Sequence, residues 1–276
     1  MSRLTALLAA TMLILPLASL AAQESDEEWL LQCRESSRGD WYARARHCEV
    51  RETGLKATGK PLTVDPSMNG GVEIEAWESD SIAVTARIQT NARTMDEADA
   101  IARDIHIEAS GATIRATGPD PSGNHQNWSV NFVVMVPRRT DLSMSTENGP
   151  LSVKNVTGHM ELSTLNGPLY LSGVAGDVHA RAQNGPLSVR LMGSRWDGTG
   201  LDAETTNGPA DLRIPTDYNA KIEFGTANGP MEVGFPLTVT LSGRIRDRIS
   251  TTLGSGGPPV RVVTTNGPMT VRHSNP

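Results

Sequence analysis

The chain has 276 residues, a formal net charge of −6 at pH 7 and only 4% aromatic residues. That length suits one large domain or two small ones. An acidic balance without a basic run argues against a nucleic-acid binder, and so few aromatics leave no rows of sugar-stacking platforms.

The opening stretch "MSRLTALLAATMLILPLASLAAQE" has a basic start at Arg3, an apolar run from Leu4 to Leu20 and small residues before Gln23. This pattern predicts a secretory signal over 1–22, cut after Ala21 or Ala22. A retained membrane helix is the weaker reading, because Pro16 interrupts the run and acids follow it at once. No Cys sits at the cleavage region, which argues against a bacterial lipid anchor, and no later run is long enough to span a bilayer. Removing the signal takes away one Arg and leaves the chain more acidic.

A disulfide-tied N-terminal cap is expected over 23–60. An exported protein meets an oxidising compartment, so Cys33 and Cys48 are expected to pair. Their spacing fits a structural staple better than a redox pair of the Cys-x-x-Cys kind. Ser25 with Glu28 forms a capping-box pattern that predicts a short helix from Asp26 to about Arg34, and "HCEVRE" alternates as a strand. Arg38-Gly39-Asp40 spells an integrin-ligand triplet, but three residues are weak evidence and a solvated turn is the preferred reading.

From 61 to 145 the text is an irregular β region of short strands such as "VEIEAW", "SIAVTARIQT" and "WSVNFVVMVP". One helix over 95–105 interrupts them. Thr94 is its N-cap, Glu97 completes the box, and Met95, Ala98, Ala102 and Ile105 lie on one face. Asn69-Gly70 reads as an early, degenerate copy of the motif that follows.

That motif fills 146–276. Asn-Gly-Pro recurs with its Asn at 148, 166, 184, 207, 228 and 266, at intervals of 18, 18, 23, 21 and 38 residues. The last interval is about double, which predicts a corner that has lost its signature near Gly243. Two, four and six residues before each Asn the chain is apolar or Thr, as in Thr146, Met144, Leu142 and Thr164, Leu162, Met160. Three and five residues after it come pairs such as Leu151 and Val153 or Leu187 and Val189. Period-two columns on both sides of a fixed turn mean strands with one buried face. Repetition at about twenty residues means that stacked coils share that face. Asn and Gly tolerate positive φ at a sharp corner, Pro follows where no ladder partner is needed, and the inward Thr can bond the corner backbone. The expected fold class is therefore all-β, a β-helix-like solenoid of Asn-Gly-Pro corners with one inserted helix and the N-terminal cap.

Repeated "T-x-N-G-P", the insert "SRWDGTGLD" at Ser194 to Asp202, the "RIPTDYNAKIE" that follows, and the early "WLLQC…HCEVRE" together resemble a bacterial family. It is the family of β-strand-repeat domains of unknown function labelled adhesins. The resemblance covers nearly all of the mature chain. It implies an exported, right-handed β-helix-like stack, often linked to the cell envelope, and it brings no catalytic residues.

Candidate contacts follow from the register. Six residues after each Asn the outward column reads Lys154, Ser172, Arg190, Arg213, Gly234 and Arg272. The cations Lys154, Arg190, Arg213 and Arg272 form a broken basic row that could hold an anionic polymer such as acidic envelope polysaccharide. The alternative is solvated charges paired with neighbours such as Asp211 and Glu232. Five residues before the Asn, Glu161, His179, Asp202, Glu223 and Arg261 form a polar column. It lacks the closed spacing of a metal site, and His159 falls outside it, so no His pair is expected. Arg195, Trp196 and Asp197, where an aromatic leaves the stack, are the best single candidate for a contact loop, although folding over a coil edge is the preferred reading.

No catalytic motif is present: no Gly-x-Ser-x-Gly, no His-Glu-x-x-His and no phosphate loop, and "GSGGP" at 254–258 reads as a loop. No cofactor or metal is expected, and the chain is not expected to be an enzyme. The expected role is a non-catalytic adhesin or cell-envelope scaffold, at the periplasm or cell surface, whose partner is envelope polysaccharide or a surface protein. A polysaccharide-active β-helix enzyme and a periplasmic partner in envelope-stress signalling are the alternatives. Oligomeric state is not readable.

Overall fold

A computed structural model describes residues 18–35, 45–120, 126–236 and 248–274. Most of the expected signal segment, the Arg38-Gly39-Asp40 triplet and the expected corner near Gly243 lie outside the described residues. In chain order the first elements are α1 (Ala18–Glu35), β1 (Ala45–Lys56), β2 (Leu62–Asp65), β3 (Val72–Trp77), β4 (Ser81–Ala92), α2 (Met95–Arg103), β5 (His106–Ser110), β6 (Thr113–Thr117) and β7 (Asn127–Pro137). Strands then alternate around the corners: β8 (Leu142–Asn148), β9 (Leu151–Lys154), β10 (Thr157–Asn166), β11 (Leu169–Ser172), β12 (Ala175–Asn184) and β13 (Leu187–Arg190). The remainder are β14 (Gly200–Asn207), β15 (Ala210–Ile214), β16 (Ala220–Asn228), β17 (Met231–Val233), β18 (Arg248–Leu253), β19 (Pro259–Asn266) and β20 (Met269–His273).

The chain is mostly β, in two ten-stranded sheets. The first runs β1-β4-β7-β3-β9-β11-β13-β15-β20-β17 and the second β18-β16-β19-β14-β12-β10-β8-β2-β6-β5. Each Asn-Gly-Pro carries the chain from the second sheet into the first. The strands entering the corners pair in parallel with their asparagines in register, in the order Asn148, Asn166, Asn184, Asn207, Asn266, Asn228. Asn69 bridges Asn148, so the expected early copy of the corner is present and β2–β3 belongs to the same stack. The apolar and Thr columns read from the sequence are buried throughout, except Met231 and Val233 on the last short strand of the first sheet. One continuous hydrophobic cluster joins Leu62 to Val271 between the sheets.

Stack order departs from chain order at both ends. β19 and β20 slot between β14–β15 and β16–β17 rather than following them. At the other end β6 and β7 lie outside β2 and β3. Antiparallel strands finish the sheets there: β4 on β7, β1 on β4, β5 on β6 and, at the far end, β18 on β16.

The corner works differently from the expectation drawn from residue preference. In five of the six Asn-Gly-Pro corners neither the Asn nor the Gly adopts the left-handed backbone, and Gly267 alone has φ 149°. Glycine is required because the coils approach closely. A Cβ on Gly149, Gly167, Gly185, Gly208, Gly229 or Gly267 would sit closer than 3.0 Å to the carbonyl oxygen of the glycine one coil away. Left-handed residues occupy the opposite corner instead, at Asn155 (φ 59°) and Gly173 (φ 63°). The inward hydroxyls do bond the corner: Thr205 donates to the Gly185 carbonyl at 2.8 Å, Thr264 to Gly208 at 2.8 Å and Thr226 to Gly267 at 2.7 Å. Outside, the asparagine side chains form a ladder, each Nδ2 donating to the Oδ1 of the next rung: Asn166 to Asn148 at 2.9 Å, Asn184 to Asn166 at 3.0 Å, Asn207 to Asn184 at 2.9 Å, Asn266 to Asn207 at 2.8 Å and Asn228 to Asn266 at 2.9 Å. Stacked amides of this kind reinforce the backbone ladder beneath them.

Two helix readings need correction. α1 begins at Ala18, upstream of Ser25, so Ser25 does not start a helix. Asp26 within it is buried and pairs with Arg87 of β4 at 2.5 Å. α2 ends at Arg103, and its buried face is Ala98, Ile101 and Ala102. Met95 is exposed, whereas Ile105 is buried just past the helix. The Thr94 cap accepts from the Glu97 amide at 3.3 Å, as the capping pattern required. Cys33 and Cys48 form a disulfide that ties α1 to β1. No helix among the described residues is long and apolar enough to cross a membrane.

Candidate functional site

The outer face of the first sheet carries the basic row. Lys154 is level with Ser172, Ser172 with Arg190, Arg190 with Arg213 and Arg213 with Arg272. Because β20 inserts beside β15, Arg272 stands directly next to Arg213, and Gly234 falls outside it. The order expected from the sequence put Gly234 between them. Three arginines therefore occupy adjacent strands about 4.8 Å apart, and all three are exposed. Arg213 is partly neutralised by Asp211 of its own strand at 2.9 Å. Lys154, one Ser away from the arginines, is ion-paired with Glu73 of β3. That hydrogen bond holds its ammonium above the usual lysine range, so Lys154 is an anchor between β9 and β3 more than a member of the row. Tyr170, 44% exposed, lies beside it on the same face.

The outer face of the second sheet is mixed in charge, and the inserted coil reorders it as well. Arg261 of β19 lies between Asp202 of β14 and Glu223 of β16. It pairs with Asp202, with Glu204 at 3.4 Å and with Glu223 at 3.5 Å. Arg181 approaches Glu204 from β12 at 3.4 Å, and Arg248 approaches Glu223 from β18 at 3.4 Å. The polar column read from the sequence is thus, over Asp202, Arg261 and Glu223, an ion-pair ladder.

The expectation that no His pair forms is corrected here. His159 is level with Asp177, one row from His179, so the two rings flank one carboxylate. Their centroids are 6.3 Å apart. His159 Nδ1 lies 3.2 Å from Asp177 and His179 Nε2 3.5 Å from it. The Thr199 side chain, and after it His159, hold the Asp177 carboxyl below the usual carboxylate range. Residues two apart in alternate rows meet because the strands are in register, which counting within one column misses. Among the described residues no group of three or more His, Cys, Asp or Glu side chains is placed to hold a metal ion.

Trp196 is not a surface contact. Its ring is 3% exposed and its Nε1 donates to the Gly176 carbonyl at 2.9 Å. The insert folds over a coil edge, where Gly176 also donates to the Asp197 carbonyl at 2.7 Å. Arg195 and Asp197 stay exposed, without the aromatic that made the loop attractive. The "GSGGP" stretch is the turn between β18 and β19, with Gly254 and Gly256 in the left-handed region. A cleft of about 490 Å³ lies between the segment after β1 and the start of the stack. Lys60, Arg139, Asp80 and Asp141 line it, and Asp141 is already used to accept the His159 amide at 2.8 Å.

No family model and no curated protein matches the chain. Three solved structures from bacteria resemble it at the level of overall shape. One is a "putative cell adhesion protein" from Clostridium sporogenes, 11% identical, covering 83% of this chain and 100% of its own, with a TM-score of 0.43. Another is a "putative adhesin" from Bacteroides fragilis, 10% identical, covering 83% and 97%, with a TM-score of 0.36. A third is a "putative lipid binding protein" from Parabacteroides distasonis, 9% identical, covering 83% and 97%, with a TM-score of 0.29. At such identities and scores these likenesses carry no argument about this chain.

Proposed function

We propose that this chain is a non-catalytic, exported β-solenoid, a right-handed β-helix-like stack, that serves as an adhesin or cell-envelope scaffold. In this reading 1–22 is the signal removed on export. The mature protein resides in the periplasm or at the cell surface, where it contacts acidic polysaccharide through the outer face of the first sheet. The observation that carries the reading is the contiguity of Arg190, Arg213 and Arg272 on adjacent strands. Stacked guanidinium groups repel one another, and the row sits on a chain of net negative charge. A flexible polyanion with carboxylate or phosphate groups relieves that repulsion, and guanidinium binds such groups in bidentate fashion. Asp211 offsets Arg213 in part.

The test reverses Arg190, Arg213 and Arg272 to Glu together, in the mature protein, and measures binding to acidic and neutral glycans. Loss of acidic-glycan binding with unchanged folding supports the row as the contact. Retained binding removes it. A parallel reversal of Lys154 is expected to act mainly on stability, through Glu73.

A further inference from the structure

We infer that Asn228-Gly229 is a site of spontaneous chemical modification, deamidation through a cyclic imide, set apart from the other Asn-Gly pairs of this chain by its place at the end of the stack. Asn-Gly is intrinsically reactive because no side chain on the glycine hinders ring closure. The glycine amide nitrogen loses its proton to solvent base and attacks Asn Cγ. A C–N bond forms, the side-chain nitrogen leaves as ammonia, and water then opens the imide to aspartate or iso-aspartate. The nucleophile is the backbone nitrogen, so whatever holds that N–H controls the step.

Six of the seven Asn-Gly pairs hold it. Gly70 donates to the Asn148 carbonyl at 3.0 Å, Gly149 to Asn166 at 3.0 Å, Gly167 to Asn184 at 3.1 Å, Gly185 to Asn207 at 2.9 Å, Gly208 to Asn266 at 2.9 Å and Gly267 to Asn228 at 3.0 Å. Each bond runs toward the next coil, and Asn228 is on the last rung. Among the described residues the Gly229 N–H has no acceptor. Gly229 is also exposed, whereas the other corner glycines are half-buried or buried. The side chains follow the same logic. An interior asparagine such as Asn166 both donates to one rung and accepts from another. Asn228 only donates, to Asn266.

Asn69 separates the two contributions. It too ends the amide ladder, accepting from Asn148 at 3.4 Å, but its glycine N–H is held. If the backbone bond is the protection, Asn69 behaves like the interior pairs. Conversion at 228 replaces the last donor with a carboxylate facing the Asn266 oxygen, and the iso-aspartyl form lengthens the corner. Either change loosens the final coil, β16–β17, and leaves the stack beneath it intact.

The experiment incubates the full-length protein at mildly alkaline pH and maps the products by peptide mass spectrometry. Asn228 is expected to convert about tenfold faster than Asn166 or Asn184, the scale set by releasing one amide hydrogen bond. Conversion of any interior asparagine as fast as Asn228 overturns the inference. Amide exchange gives a second reading that needs no variant: Gly229 is expected to exchange ahead of Gly149, Gly167, Gly185, Gly208 and Gly267. Equal protection would also overturn it. N228Q is expected to abolish the early product and leave the slower ones unchanged.

Discussion

Ala182 is the one inward position before an Asn-Gly-Pro corner that carries no hydroxyl, and it shows what the others contribute. Thr164 and Thr205, on the coils either side of it, donate to the glycine carbonyl one coil away. By the same register Ala182 faces the Gly167 carbonyl and has nothing to offer it. A182T is therefore expected to raise stability by about 1 kcal/mol, read as a shifted denaturant midpoint, and A182V is expected to show no comparable gain. Tyr218 gives a residue-scale pH prediction. It is 3% exposed, and burial pushes its phenol up to about 12. An unfolded tyrosine ionises near 10. The folded form therefore keeps its proton more tightly, and the stability from burying the neutral ring is present below about pH 10 and lost as pH rises from about 10 to 12. Alkaline denaturation curves should be visibly flatter across that window for Y218F.

At the scale of elements the inserted coil matters most. β19 brings Arg261 between Asp202 and Glu223, where its side chain is 24% exposed. Without it, Asp202, Glu204 and Glu223 would face one another across two strand spacings with no cation between them. R261M is expected to cost about 2 kcal/mol, because Asp202 loses its cation while Glu204 and Glu223 keep their 3.4 Å pairs with Arg181 and Arg248. Since the site is partly solvated, high salt should shrink the loss. Urea titrations at low and high salt can show the difference. The histidine pair on the same sheet has the same origin: residues from neighbouring rows meet only because the coils are in register.

On the scale of the whole molecule, the two sheets share one core but end differently. At the N-terminal end antiparallel strands, α2 and the disulfide-tied α1 finish the stack, and Arg51 of β1 donates to the Ala102 carbonyl at 2.7 Å and the Ile105 carbonyl at 2.5 Å, gripping the end of α2. Joined to α1 by the Cys33–Cys48 bridge, this end encloses a loop of sequence separation 15. C33S/C48S is expected to lose about 3 kcal/mol. The early amide exchange should be confined to α1 and β1 while β10–β13 stay protected. At the other end β16–β17 can reach full pairing only once β19–β20 has filled the space beside β14–β15, so the last residues of the chain complete the middle of the stack rather than its tip.

Much of this was legible in the chain itself. A fixed corner flanked by period-two columns dictates buried strands, because alternation selects one face and a copied corner aligns the copies; Leu142, Met160, Val178 and Leu201 accordingly share one row. The paired cysteines and the capped helix after Thr94 were equally local. The order of the last two coils was not, since parallel neighbours with the same pattern are interchangeable to any local rule. Contacts between segments distant in the chain select between them. That choice made Arg272 a neighbour of Arg213, put Arg261 among carboxylates and left Gly229 on the outermost rung among the described residues. Tertiary packing turned Trp196 inward to bond Gly176, in keeping with an insert that folds over a coil edge, and it gave the corner glycines a different role: they are needed for close approach between coils rather than for left-handed backbone. The sequence determined which side chains face inward because that is a property of period. Which coils touch depends on contacts between distant segments, and those settle only when the whole stack closes.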